Sequence, residues 1–308
     1  HHVALFLAYT RTGTQKDGDV MAAESNLAVS FKDCQEALQR IRPYVHITPV
    51  HTSTTMDRLS GRELFFKCEN YQKGGSFKVR GATNAVLCLT EEEKKHGVVT
   101  DSSGNHAQAL SIAAQMRGIP AHIVVPENAP AVKRKAVSEY GGRGILSEGT
   151  LKSRQETAER VVRETGGVYI SPHDNARVIA GQGSIAFELL EQVPSLDAIV
   201  VPVGGGGLIA GISIAAKGLN PNIRIFGAEP KGADDAARGI ALGHWVPQTD
   251  PQTVADGLRV SLGKLNFPII QALVEEIITV SEEEIYAGMR LVLERMKLVI
   301  EPSAGVGV

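Results

Sequence analysis

The sequence predicts an α/β protein whose parallel sheets carry helices on both faces. Short β-branched runs alternate with longer segments of helical period through most of the chain. The stretch Ala198-Ile199-Val200-Val201-Pro202-Val203 is almost continuously apolar, as suits a strand buried on both sides. Turns rich in Ser, Gly and Asn stand where strands would pass into helices, at Ser102-Ser103-Gly104-Asn105 and at Gly204-Gly205-Gly206-Gly207.

The elements follow in order. Ser30 opens a helix in which Phe31, Cys34, Ala37, Leu38 and Ile41 share one face. Leu64-Phe65-Phe66 is a strand. Thr90, with Glu93 three residues later, makes a capping box in which hydroxyl and carboxylate each accept from a free helix-end amide. Val98-Val99-Thr100 is a strand, followed by the Ser-Ser-Gly-Asn turn and a helix through Ala113. His122-Ile123-Val124-Val125 is the next strand, with a helix opened by Pro130 and ending near Tyr140-Gly141-Gly142. Ile145 and Leu146 form a strand before the charged helix 151–164, and Val168-Tyr169-Ile170 forms another. A helix surrounds 185–190. The apolar run 198–203 then enters four glycines, the helix 208–217 and the strand 224–228. Residues 1–20, a His-His start and an apolar patch before Met21, are expected to be a tag or disordered arm outside the fold.

Bulk properties narrow the class of ligand. A chain of 308 residues with 43% hydrophobic content can bury one large core or two modest ones. A formal charge of -2 provides no field for nucleic acid or anionic lipid, so small molecules are the expected partners. No apolar run is long enough to span a bilayer. Cys34, Cys68 and Cys88 form no CxxC pair, which points away from a disulfide framework or zinc site and toward a cytoplasmic location.

Several segments could carry chemistry. Ser76-Phe77-Lys78 places a lysine after two glycines. A lysine amine attacks carbonyls only when deprotonated, which a sheltered pocket favours; a surface helix lysine is the plain alternative. Ser102 to His106 lies at a strand's carboxyl end, where open α/β sheets bind ligands and helix amides can meet a carboxylate. Those residues would also serve as an ordinary turn and cap. The tetraglycine joins strand to helix, where missing side chains let the backbone approach a phosphate. Glu229 and Asp235 could hold a hard cation, or form only a solvated acidic loop. Gly205, Gly207 and Ala210 also satisfy a GxGxxA pattern, with Glu229 near the end of the next strand, so a dinucleotide-binding oxidoreductase is a distant alternative.

Together the segments resemble the serine racemase and serine/threonine dehydratase family of fold-type-II pyridoxal-phosphate enzymes. The resemblance spans about 30–308. It rests on Gln72 to Ala82, Ser102 to His106, Gly181-Gln182-Gly183-Ser184, the tetraglycine and Glu301-Pro302-Ser303-Ala304-Gly305. It implies a tryptophan synthase beta-like fold of two parallel-sheet α/β domains. The larger is discontinuous, 21–96 with 175–308, and a small mobile domain spans 97–174.

The resemblance also implies roles. Lys78 carries pyridoxal phosphate as a Schiff base, Phe77 packs beside its ring, Asn105 bonds the ring hydroxyl, and Gly204, Gly205, Gly206 and Gly207 hold the phosphate. Ser102, Ser103, Gly104, Asn105 and His106 receive the substrate carboxylate, with Arg154 nearby on the moving domain. Lys78 and Ser103 act as acid and base on opposite faces of Cα, giving D/L-serine interconversion. Elimination of serine, and of threonine in some relatives, to a 2-oxo acid and ammonia accompanies it. Glu229, the Ala233 carbonyl and Asp235 match a divalent-cation site (magnesium, or calcium or manganese). Lys73, Lys133 and Tyr140 resemble positions linked to activating ATP at the interface of a homodimer. A 3-hydroxyaspartate or threonine ammonia-lyase shares this chemistry and is the near alternative.

Two departures stand out. The family continues to a Ser-Gly-Gly segment whose hydroxyl meets the pyridine nitrogen, whereas this sequence ends at Val308. Ser171-Pro172-His173 stands where relatives usually have His-Pro, which bears on nucleotide activation and on closure contacts.

Overall fold

The computed structural model describes residues 5–9, 27–102, 104–129 and 131–308, with the backbone alone for 5–9, 132–134 and 151. The chain opens with β1 (Leu5–Tyr9), α1 (Phe31–Ile41), β2 (Val50–His51), α2 (Thr54–Ser60), β3 (Leu64–Cys68), α3 (Lys78–Leu87) and α4 (Glu91–His96). It continues with β4 (Val98–Thr100), α5 (Asn105–Arg117), β5 (Ala121–Pro126), α6 (Ala131–Glu139), β6 (Arg143–Ser147), α7 (Leu151–Thr165) and β7 (Val168–Tyr169). There follow α8 (Ala176–Gln192), β8 (Ala198–Pro202), α9 (Gly207–Leu219), β9 (Arg224–Pro230) and α10 (Asp235–Leu242). The last elements are α11 (Asn266–Leu273), β10 (Glu276–Val280), α12 (Glu282–Leu291) and α13 (Pro302–Gly305).

Local chemistry accounts for the helix starts. At α4 the Thr90 hydroxyl accepts from Glu93 N at 3.2 Å, while the Glu93 carboxylate accepts from Thr90 N at 2.7 Å, the capping box expected there. Ser30 and Asp33 do the same for α1, and Ser281 and Glu284 for α12. Pro130, expected to open the helix that follows β5, lies outside the described residues.

The strands form two sheets. β6-β5-β4-β7 are all parallel and lie wholly within 98–169. The six-stranded sheet has the order β10-β9-β8-β1-β3-β2. Its β10-β9-β8 half is parallel, and β1, β3 and β2 run antiparallel to their neighbours. The α/β class read from the sequence therefore holds, with an antiparallel half added to the larger sheet. The expectation that 1–20 lies outside the fold does not hold for Leu5–Tyr9. That apolar five-residue run pairs on both edges, Leu7 opposite Phe66 on one side and Val200 on the other.

Two cores flank α8. Its Ile179, Ile185 and Leu189 join a cluster with α1, α9, β8 and β9, while Val178 joins one with α3, α5, β4 and β5. Each such large side chain stabilises the fold by about 1.5–3 kcal/mol when fully buried. Glycine is what lets α3 reach α8. A Cβ on Gly181 would lie 2.6 Å from Gly81 Cα and 2.8 Å from Arg80 O, so the helices meet backbone to backbone. The Gly81 amide also donates to the Gln182 side-chain oxygen at 3.1 Å. Thus Gly181-Gln182-Gly183-Ser184 is a packing motif that seats the helix beginning at Lys78.

An ionic network lies behind the same helix. Arg80, fully buried, donates to Glu69 at 2.8 Å through two nitrogens and to Glu188 at 2.6 and 2.8 Å. Lys67 donates to Glu188 at 2.7 Å, to Thr48 O at 2.8 Å and to Gln192 at 2.9 Å. Two cations face two carboxylates with their hydrogen-bonding positions filled, the condition under which buried charge is tolerated. Among the described residues, no helix is long and apolar enough to cross a membrane.

Candidate active site

Lys78 is the first residue of α3, with Phe77 as its N-cap. Its stem keeps some accessible surface, but the amine turns inward and donates to the Pro172 carbonyl at 2.8 Å. The Nζ atom stands 5.3 Å from the centroid of the Phe77 ring. Burial pulls its pKa down to about 8, partly offset by the negative charge of Glu301. Roughly a tenth of this amine is therefore unprotonated at pH 7, the form that a carbonyl nucleophile requires.

The loop beyond Pro172 packs against the tetraglycine through His173. That segment follows β8 and enters α9, as the strand–glycine–helix pattern predicts. Gly206 has φ +82, the left-handed region in which glycine carries no penalty. At Gly205 a Cβ would lie 2.1 Å from His173 Cγ, so the imidazole rests on bare backbone. Asn266 clamps the loop, donating from Nδ2 to Gly205 O at 2.6 Å and to His173 O at 3.0 Å. Burial, with the nearby charge of Lys78, drops the His173 pKa to about 3, leaving the ring neutral.

The third wall is the start of α5. Asn105 donates through Nδ2 to both carboxylate oxygens of Glu301, at 3.2 and 3.3 Å. Ser102 Oγ accepts from Gly104 N at 3.3 Å. His106 Nε2 lies 3.2 Å from Ile170 O; a carbonyl can only accept, so this nitrogen carries the proton. Its Nδ1 is buried without a partner, and burial, then Lys78, lowers the ring to about 3. Ser103 lies outside the described residues. The base of the loop is braced where Tyr169 donates to Asp101 at 2.5 Å. Arg154 acts electrostatically on Tyr169, and its Nε is buried without a partner.

The structure thus gathers Phe77, Lys78, Asn105, His106 and the glycine loop around one site, joined through Pro172, His173 and Glu301. The acidic pair is separate, with Glu229 near the end of β9 and Asp235 opening α10. Glu229 is fully buried and accepts from Ala236 N at 3.1 Å and Ala237 N at 3.0 Å. Asp235 is 2% exposed and accepts from Leu262 N at 2.7 Å, leaving Oδ1 without a partner. Burial raises Glu229 to about 8 and Asp235 to about 6, which overturns the reading of a solvated acidic loop. Among the described residues, no group of three or more His, Cys, Asp or Glu is placed to hold a metal. Lys73 sits in a turn against α5, its neighbour Gly74 facing Ile112, and Tyr140 packs beside the same core. The Lys133 side chain lies outside the described residues.

Glu301, His173 and Asn266 carry no local sequence signal of a site. Glu301 stood inside a quoted motif and His173 inside a noted departure, but each reaches the site only through tertiary packing.

The chain is similar to known proteins over most of its length. Residues 41–308 match the model of the pyridoxal-phosphate dependent enzyme family. The chain is 52% identical over 286 residues to a serine racemase of Arabidopsis thaliana, covering 93% of this chain and 86% of that protein. A maize serine racemase structure superposes with a TM-score of 0.90 at 49% identity, covering 91% of this chain and 85% of that one. A threonine deaminase from T.th. superposes with a TM-score of 0.85 at 42% identity, covering 90% of each chain.

Proposed function

The chain belongs to the pyridoxal-phosphate dependent enzyme family, and we propose that within it the chain interconverts L- and D-serine and also eliminates serine to pyruvate and ammonia. The observation that carries this reading is the buried Lys78 amine, pulled down to about 8 and one residue removed, through Pro172, from the ring that rests on Gly205.

The residues fit the cofactor. Gly204 to Gly207 leave no room for a Cβ, which would strike Leu258, His173 or Leu262, so the loop is bare backbone, and α9 begins there with helix-end amides and a favourable dipole for phosphate. Lys78 would hold the aldehyde carbon, Phe77 the ring face and Asn105 the ring hydroxyl. When bound, pyridoxal phosphate draws electron density from the substrate Cα and makes its proton acidic.

The protein's own groups do the rest. The first turn of α5, with Ser102 and His106, offers amides to the substrate carboxylate, and the helix dipole adds to the attraction. Arg154 would approach from α7. The Pro172 carbonyl gives the Lys78 amine a place to rest, and the free amine removes the Cα proton from one face. Ser103 would return a proton on the opposite face, inverting the centre. Loss of the β-hydroxyl as water instead commits the substrate to pyruvate and ammonia after hydrolysis.

The likeness to threonine deaminase favours, as a second reading, a threonine or 3-hydroxyaspartate ammonia-lyase on the same site. Ser103→Ala, assayed with both serine enantiomers, separates the two. We expect interconversion to fall by at least tenfold while elimination of L-serine persists; undiminished interconversion refutes the two-face assignment.

The reading extends to a divalent cation at Glu229, the Ala233 carbonyl and Asp235. Its support is two buried carboxyls held partly neutral by desolvation and an unpartnered Asp235 Oδ1, which a cation would satisfy. It also includes a small mobile domain over 97–174 around the four-stranded sheet, a homodimer in the cytoplasm, and activation by ATP at Lys73, Lys133 and Tyr140. The sequence resemblance is the support for these last three.

A further inference from the structure

We propose that Glu301 is a positioning residue of this site: its carboxylate holds the Asn105 amide with nitrogen toward the cofactor position, and it supplies the negative charge that faces Lys78. The inference rests on the proposed function and adds a component that the reaction alone does not specify.

The geometry is specific. Glu301 is 7% exposed and immediately precedes α13, whose own amides its side chain does not cap. Instead the carboxylate faces Asn105, and both its oxygens accept from the same Nδ2. A carboxylate can only accept, so this contact decides the orientation of an otherwise ambiguous amide. With Nδ2 turned to Glu301, its second hydrogen remains to donate to a ring hydroxyl or phenolate. Were the amide reversed, its oxygen would face a carboxylate and no bond would form.

Among the described residues, the titratable groups coupled to Lys78 are Glu301 from the start of α13, His106 from α5 and His173 from the loop after β7. Both imidazoles are neutral near pH 7, since each is lowered to about 3. Charge on Glu301 therefore opposes the desolvation of the Lys78 amine and keeps it basic enough to take a proton from carbon. Without that charge, the amine would be freed more readily but would be a weaker base.

Glu301→Gln separates the two roles. The amide keeps an acceptor oxygen for Asn105 and removes only the charge. Wild type, E301Q and E301D are compared as holoenzymes, following kcat on L-serine and the visible absorbance of bound cofactor from pH 5.5 to 10 (about two units either side of the Lys78 value). In E301Q the acid limb of kcat and the midpoint of the absorbance change should both move down by about one pH unit, a tenfold loss of proton affinity. KM for serine should change less than about threefold. E301D, which retains the charge in a shortened side chain, should move the same way by less. Acid limbs and absorbance midpoints that coincide for all three proteins would overturn the role of Glu301. A wild-type protein that shows no cofactor band and no serine turnover would instead refute the proposed function.

Discussion

Replacing Lys78 by methionine should abolish turnover and at the same time stabilise the cofactor-free protein. The amine is carried by folding from its ordinary 10.5 to about 8, chiefly through burial. At about 1.4 kcal/mol per tenfold in proton affinity, that corresponds to roughly 3 kcal/mol against the folded state wherever the amine is charged in both states. Methionine has a similar reach and no charge to desolvate. It forfeits the bond to Pro172 O, whose loss costs about 1 kcal/mol, so the expected net gain is about 2 kcal/mol. The gain has a definite pH dependence. Below pH 8 both folded and unfolded wild type bind the proton, and the full penalty is present. Between about 8 and 10.5 the folded protein releases it while the unfolded chain keeps it, so wild-type stability rises relative to the variant. Urea unfolding of both cofactor-free proteins at pH 7 and pH 10 measures this. Lys78→Met should lead by about 2 kcal/mol at pH 7 and lose that lead by pH 10. A difference that does not change with pH would mean that the amine is not desolvated, and the reasoning about its nucleophilicity would fail with it.

Two further perturbations probe the surroundings. Gly205→Ala puts a Cβ 2.1 Å from His173 Cγ, so the ring or the loop must shift; cofactor affinity, followed by absorbance on titration into cofactor-free protein, should fall by at least about tenfold. Wild-type affinity in that variant would remove the loop from phosphate binding. Arg80→Met leaves Glu69 and Glu188 buried with Lys67 as their remaining cation in the network, and unfolding stability should drop by about 3–5 kcal/mol. A loss below about 1 kcal/mol would show that water or protonation relieves the stranded carboxylates.

Local signals were legible where local physics decides them. The Thr90–Glu93 cap needs only four residues, and the strand–glycine–helix junction at 198–207 only the contrast of an apolar run with bare backbone. Lys78 and the Ser102–His106 loop were found as a combination of motifs. What escaped depends on distance. Nothing near Glu301 in sequence indicates that its carboxylate meets Asn105, 196 residues away, and nothing near Arg80 indicates Glu188, 108 residues on. The residues around Glu229 and Asp235 leave both a cation site and a solvated acidic loop open, because burial is a property of the packed β9–α10 corner, not of the acidic string itself. The residues flanking Leu5–Tyr9 suggest a tag, but its own apolar run is competent to pair wherever two strand edges are open.

The touching backbones of α3 and α8 have a mechanical consequence. Where side chains separate two helices, a change of rotamer can let one slide or roll over the other. Gly81 against Gly181 offers no such degree of freedom, and the Gly81 amide is tethered to Gln182 as well. The helix that begins at the reactive amine is therefore bolted to its neighbour as a fixed anvil. Any reshaping of the pocket around a substrate has to come from the parts that face it.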